Sequence, residues 1–174
     1  MGTPLLTGTQ GALEYYVHAC PTRIRSEMQT VFKGVDTSKL LIVPTCQHSE
    51  ENLVQMGEKI EDEKDRLLIA FMEWAGGICR ALEAQGHWSD YIDPCSGLPM
   101  LHTENQQVYS EVDGLSVLMG FQTANAGCCK VLLHPVWGTS VYPASMFTTA
   151  PLELLAKAIE DRLTAQPSAD EVKA

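Results

Sequence analysis

Basic residues are scarce in this chain: 12 Lys and Arg stand against 22 Asp and Glu, a formal charge of -10 over 174 residues. That balance repels nucleic-acid phosphates and anionic lipid at long range, so nucleic acid is not an expected partner. The densest gathering of acid (Glu50, Glu51, Glu58, Glu61, Asp62, Glu63, Asp65, Glu73) lies on one predicted helix and its approach, and its plain reading is a solvated helix face. Long apolar runs are missing too. The richest, Val131 to Trp137, is interrupted by His134 and Pro135 and falls short of the roughly 18 residues a membrane span needs. Met1 to Ala12 holds no basic residue and no sustained apolar block, so no secretory or mitochondrial leader is read there. The expected location is cytoplasmic, a mitochondrial form requiring a leader upstream.

Catalytic signatures are equally sparse. There is no G-x-S-x-G, no P-loop and no G-x-G-x-x-G, which disfavours an unaided hydrolase or phosphotransferase. The six cysteines, Cys20, Cys46, Cys79, Cys95, Cys128 and Cys129, are too dilute for a disulfide scaffold and show no CxxC or finger spacing, so reduced thiols are expected. His48, His87, His102 and His134 are scattered without metal-ligand spacing and read as surface or satisfied core histidines.

What remains is an ordinary globular composition, 45% hydrophobic, in a chain long enough to bury a core of its own. The expected organisation is a flexible segment over 1–12, one domain over 13–164 and a flexible tail over 165–174, with no repeat and no linker. Alternation predicts a strand over Leu13 to Cys20. Pro21 suits a helix start, and apolar spacing carries that helix to Gly34. A buried strand follows from Lys39 to Thr45. Ile60, Leu67, Phe71, Ala75, Ile78 and Leu82 form a stripe that predicts a long helix over Glu58 to Gln85, stopped by Gly86. Trp88 to Ile92, a turn at Asp93 to Gly97, and Leu98 to His102 read as strand, turn and extended return. Further strands are expected over Val108 to Val117, Gly127 to His134 and Gly138 to Thr148, with a terminal helix through Leu152, Leu155, Ile159 and Leu163. The fold class is therefore α+β, an antiparallel sheet flanked by helices.

Gly127-Cys128-Cys129-Lys130 is the one place where two thiols meet a cation. Placed on a strand, neighbouring side chains point to opposite faces. One thiol then enters the core while the other faces out, and the two do not share an ion. Burial of both thiols is the purely structural alternative. The chemical alternative needs an exposed thiolate, which attacks electrophiles or ligates soft metals, with Lys130 and His134 as candidate cationic neighbours.

Read together, Trp88 to Leu98, Gly120-Phe121, Gly127 to Val131, His134 to Thr139 and Ser145 to Thr148 resemble the cobalamin trafficking proteins of the CblD type, the methylmalonic aciduria and homocystinuria type D protein family. The likeness is densest from Trp88 to Thr149 and looser from Tyr15 to Gln85. It implies a nitroreductase-like, flavin reductase-related fold without bound flavin. It also implies an adaptor with no activity of its own, which docks on the cobalamin-loaded partner CblC and routes vitamin B12 to methionine synthase and methylmalonyl-CoA mutase. In this resemblance Cys128 is the ligand to the partner-held cobalt, supported by Gly127, Cys129 and Lys130, and cobalamin is shared with CblC rather than bound alone. Asp113, Gly120 and Phe121 fall in a region implied to face the partner. Two rival readings stand beside it: a nitroreductase-like flavoprotein or thiol oxidoreductase cycling Cys128 and Cys129, and a structural interaction domain with both thiols buried.

Overall fold

The computed structural model describes residues 2–165. Seven strands and four α-helices run in the order β1 (Leu6–Gln10), β2 (Leu13–Ala19), α1 (Arg25–Val31), β3 (Leu41–His48), α2 (Glu58–Ala84), β4 (Ser89–Tyr91), α3 (Glu111–Met119), β5 (Gln122–Ala126), β6 (Cys129–Leu133), β7 (Val141–Thr148) and α4 (Leu152–Ala165). The main sheet is antiparallel throughout, in the order β1-β2-β3-β7-β4, while β5 and β6 form a separate hairpin. Among the described residues no helix is long and apolar enough to cross a membrane.

Central strand β3 carries the architecture because it is covered on both faces. Leu41 and Val43 point to one side, where Phe71, Ala75, Ile78 and Leu82 of α2 and Leu155 and Ile159 of α4 close the core. Ile42 points to the other, onto Met28, Val31 and Phe32 from α1 and its end, Phe147 and Leu118 of α3. Cys46 continues that second face into a smaller cluster with Leu115, Leu132 and Val141, which seats α3 and the hairpin against the sheet. A strand with a period of two and apolar residues at every step reads as a nearly continuous hydrophobic run, as seen here.

Three elements depart from the expectations above. The segment read as flexible over 1–12 contains β1, paired with β2 from Leu6↔Val17 to Gln10↔Leu13. Its glycine and threonines make a weak apolar signal, and tertiary contacts decide instead: Gly8 leaves room for the Tyr15 ring, and the Gln10 amide donates to the Ile159 carbonyl while accepting from the Trp74 indole. Val108 to Val117, read as a strand, gives α3. Ser110 caps it, its hydroxyl accepting from the Asp113 amide at 3.3 Å, and Gly120 ends it with φ +69°. A Ser-x-x-Asp start and glycine stop outweigh the β-forming valines between them. The strand expected over Gly127 to His134 is the second arm of a hairpin whose first arm, β5, lies in a stretch to which no element is assigned above. The expected tail over 165–174 lies outside the described residues except Ala165, which ends α4.

Candidate functional site

The hairpin turns on two residues, Gly127 and Cys128, between the paired Ala126 and Cys129. Gly127 has φ +65° and Cys128, like every other described residue that is not glycine, does not have positive φ, which is the pattern of a type II′ turn, matched to the twist of the flanking strands. Cys128 therefore stands in the turn and not in the strand. For that reason the two thiols do not alternate between core and solvent: both Cys128 and Cys129 are exposed, with their sulfurs 3.9 Å apart. The Cys129 thiol is pushed above its ordinary range, first by its hydrogen bond to the Cys128 sulfur and then by charge on that sulfur.

Both residues expected to flank the thiols as cations are engaged elsewhere. Lys130 Nζ lies 2.6 Å from Asp113 Oδ1, tying the hairpin to α3, with both side chains about half exposed. This bond holds the Asp113 carboxyl below its usual range. His134 is buried and points away from the tip. Its Nδ1 accepts from the amides of Val136 and Trp137, both at 3.2 Å, so Nε2 carries the proton and donates to Glu14 at 3.1 Å. Glu14 also accepts from the Tyr16 hydroxyl. The indole of Trp137 stacks on His134 at 4.0 Å and on His48 at 4.8 Å. This polar and aromatic knot fixes the base of the hairpin; it does not activate the tip.

Two recesses adjoin the hairpin, one along β6 and one at its base. One, of about 170 Å³, is largely apolar and lined by Val112, Lys130, Val131, Leu132, Val141 and Tyr142 among others. The other, of about 530 Å³, is lined by Met119, Gly120, Phe121, Gln122, Leu133, His134 and Pro135. The expected interface residues thus divide between the two ends of α3: exposed Asp113 on the first turn, and exposed Gly120 with half-buried Phe121 after the last. No group of three or more His, Cys, Asp and Glu converges on a metal position among the described residues.

Glu111 was not anticipated. It begins α3 beneath the hairpin, accepts a 2.5 Å hydrogen bond from the Ser145 hydroxyl of β7, and has its Oε1 buried without a partner. Burial pushes its carboxyl up to about 8, against the opposing Ser145 hydrogen bonds. The Ser110 cap was the available sequence signal, since it places Glu111 one residue into a helix.

Fold and site together define an α+β domain that displays two adjacent thiols on a hairpin outside its main sheet. The sequence pattern of the family described as methylmalonic aciduria and homocystinuria type D protein matches residues 7–160. The chain is similar to the cobalamin trafficking protein CblD of Rattus norvegicus, 37% identical over 138 residues, and to those of Homo sapiens and Gallus gallus, 36% and 34% identical over 138 residues. Each match takes in 79% of this chain and 47% of the relative, so the chain spans about half the length of the curated relatives it matches. It belongs to the methylmalonic aciduria and homocystinuria type D protein family.

Proposed function

We propose that this chain serves cobalamin trafficking as an adaptor without turnover of its own, offering the Cys128 thiolate to the cobalt of cobalamin held by the partner CblC. The observation that carries this reading is the exposure of Cys128 at a turn tip, in a chain whose relatives are named cobalamin trafficking proteins. A thiolate is a soft donor suited to a polarisable metal. A tip that projects from the sheet reaches a metal seated in another protein, and the two recesses, one along β6 beside the Lys130–Asp113 pair and one at the base of the hairpin lined by Gly120 and Phe121, supply surface for the partner. On this reading the domain is a nitroreductase-like fold that has no flavin, and the cofactor passes onward to methionine synthase and methylmalonyl-CoA mutase.

The test is a spectral titration of cobalamin-loaded CblC with this protein. Wild type shifts the cobalt absorption bands, Cys128→Ser abolishes the shift and Cys129→Ser largely spares it. Wild-type behaviour of both variants removes the ligand assignment. A purified protein that carries flavin, or consumes NADPH with a disulfide substrate, replaces the adaptor with an oxidoreductase.

A further inference from the structure

Of the six cysteines, Cys20, Cys46 and Cys79 are buried, and burial pushes each of those thiols up. Cys95 is exposed but solitary, its thiol raised by partial burial and by the Asp93 charge. Cys128 and Cys129 alone present two exposed sulfurs to one another, 3.9 Å apart. A disulfide requires about 2.05 Å, so the pair is a dithiol. A tetrahedral centre with metal–sulfur bonds of about 2.3 Å sets its sulfurs about 3.8 Å apart. The two side chains therefore occupy one edge of such a centre as they stand, and the type II′ turn holds them there because Gly127 fixes the backbone on one side and the Ala126↔Cys129 pairing on the other. Lys130 is drawn off to Asp113 and does not pair with either sulfur.

We propose that Cys128 and Cys129 form a bidentate site for thiophilic ions and trivalent arsenicals, the remaining coordination positions being filled from solution. The site is a property of the dithiol itself and does not rest on the cobalamin reading, in which Cys128 acts alone. With an organic arsenical the exchange is balanced without redox change. The arsenic–oxygen bond of phenylarsine oxide and two S–H bonds give way to two arsenic–sulfur bonds and one water, and arsenic stays trivalent. Once the first sulfur binds, the second acts at a high effective concentration, which multiplies affinity by about 100-fold or more over a single thiol.

The experiment uses the whole chain carrying Cys95→Ser, so that the third exposed thiol does not contribute, with phenylarsine oxide as probe and no cobalamin present. Native thiols are counted with a chromogenic disulfide reagent. The parent is expected to lose two reactive thiols per arsenical bound, to recover them with 2,3-dimercaptopropanol but not with an equal concentration of monothiol, and to bind about 100-fold more tightly than either Cys128→Ser or Cys129→Ser. Loss of one thiol per arsenical, or equal affinity in the parent and either serine variant, overturns the proposal. Both side chains are exposed, and near-ultraviolet circular dichroism verifies that each variant is folded.

Discussion

Two carboxyl groups meet the main sheet beside β7, Asp90 from the neighbouring strand β4 and Glu111 from α3, and they are provided for very differently. Asp90 on β4 is fully buried, yet it accepts from the amides of Tyr91, Met100, Leu101 and His102 at 2.8 to 3.1 Å. It staples the return from Met100 to His102 onto the sheet edge, and Glu83 closes the knot by binding His102 at 2.8 Å and the Ser89 amide at 2.7 Å. Glu111, under the hairpin, has one hydroxyl donor and one oxygen with none. Burial raises both carboxyls, opposed at Asp90 by the Leu101, His102 and Tyr91 amides and at Glu111 by Ser145 alone. The comparison separates a carboxylate that builds structure from one that the structure tolerates beside its site.

The largest expected effect follows at the staple. Asp90→Ala removes the acceptor of the Tyr91, Leu101 and His102 amides, Met100 keeping the Tyr91 carbonyl, and with each orphan costing on the order of 1–3 kcal/mol the variant should lose about 4 kcal/mol of stability. Asp90→Asn keeps one acceptor oxygen and should lose about 2 kcal/mol. Denaturant unfolding measures both, and an Ala variant as stable as wild type would erase the contrast.

At Glu111 the expected change has the opposite sign. Its folded-state value of about 8 lies above the ordinary carboxyl range, so between pH ~4.5 and ~8 the native state keeps a proton that the unfolded state has released. Stability therefore falls as pH rises through that window and levels off above it. Glu111→Gln keeps an acceptor for Ser145, cannot ionise, and should flatten the slope, gaining roughly 4 kcal/mol at pH 8.5 relative to pH 4.5. Parallel stability curves for the two proteins would show that this carboxyl ionises freely in the fold.

The same contrast explains what was legible in the sequence. Strong periodic signals were sufficient for β2, β3, α2, β7 and α4, where the pattern of apolar residues is also the pattern of burial. They failed where a few polar or glycine residues set the backbone: at β1, held by Gln10 and Trp74; at α3, set by Ser110 and Gly120; and at the hairpin, where Gly127 moves Cys128 from a strand into a turn. Exposure of Cys129 followed from that last displacement, and no alternation rule contains it. The Asp90 staple was hidden because its donors are backbone amides ten to twelve residues away, and backbone amides leave no mark on residue type.

The smallest effect is expected at the ion pair between α3 and the hairpin. Asp113 and Lys130 bond at 2.6 Å, but both side chains are about half exposed, and exposed pairs contribute up to about 1 kcal/mol. The hairpin is anchored instead by Leu132, buried against Cys46, Leu115 and Val141. Asp113→Asn should therefore cost about 0.5 kcal/mol or less, an effect that fades in high salt. Because the Asp113 carboxyl is held low by its bond to Lys130, this small contribution is present at neutral pH and disappears as pH falls through the acid range. A loss above 1.5 kcal/mol, unchanged by salt, would mean that the pair and not Leu132 fixes the hairpin, and that the thiols at its tip are positioned from α3.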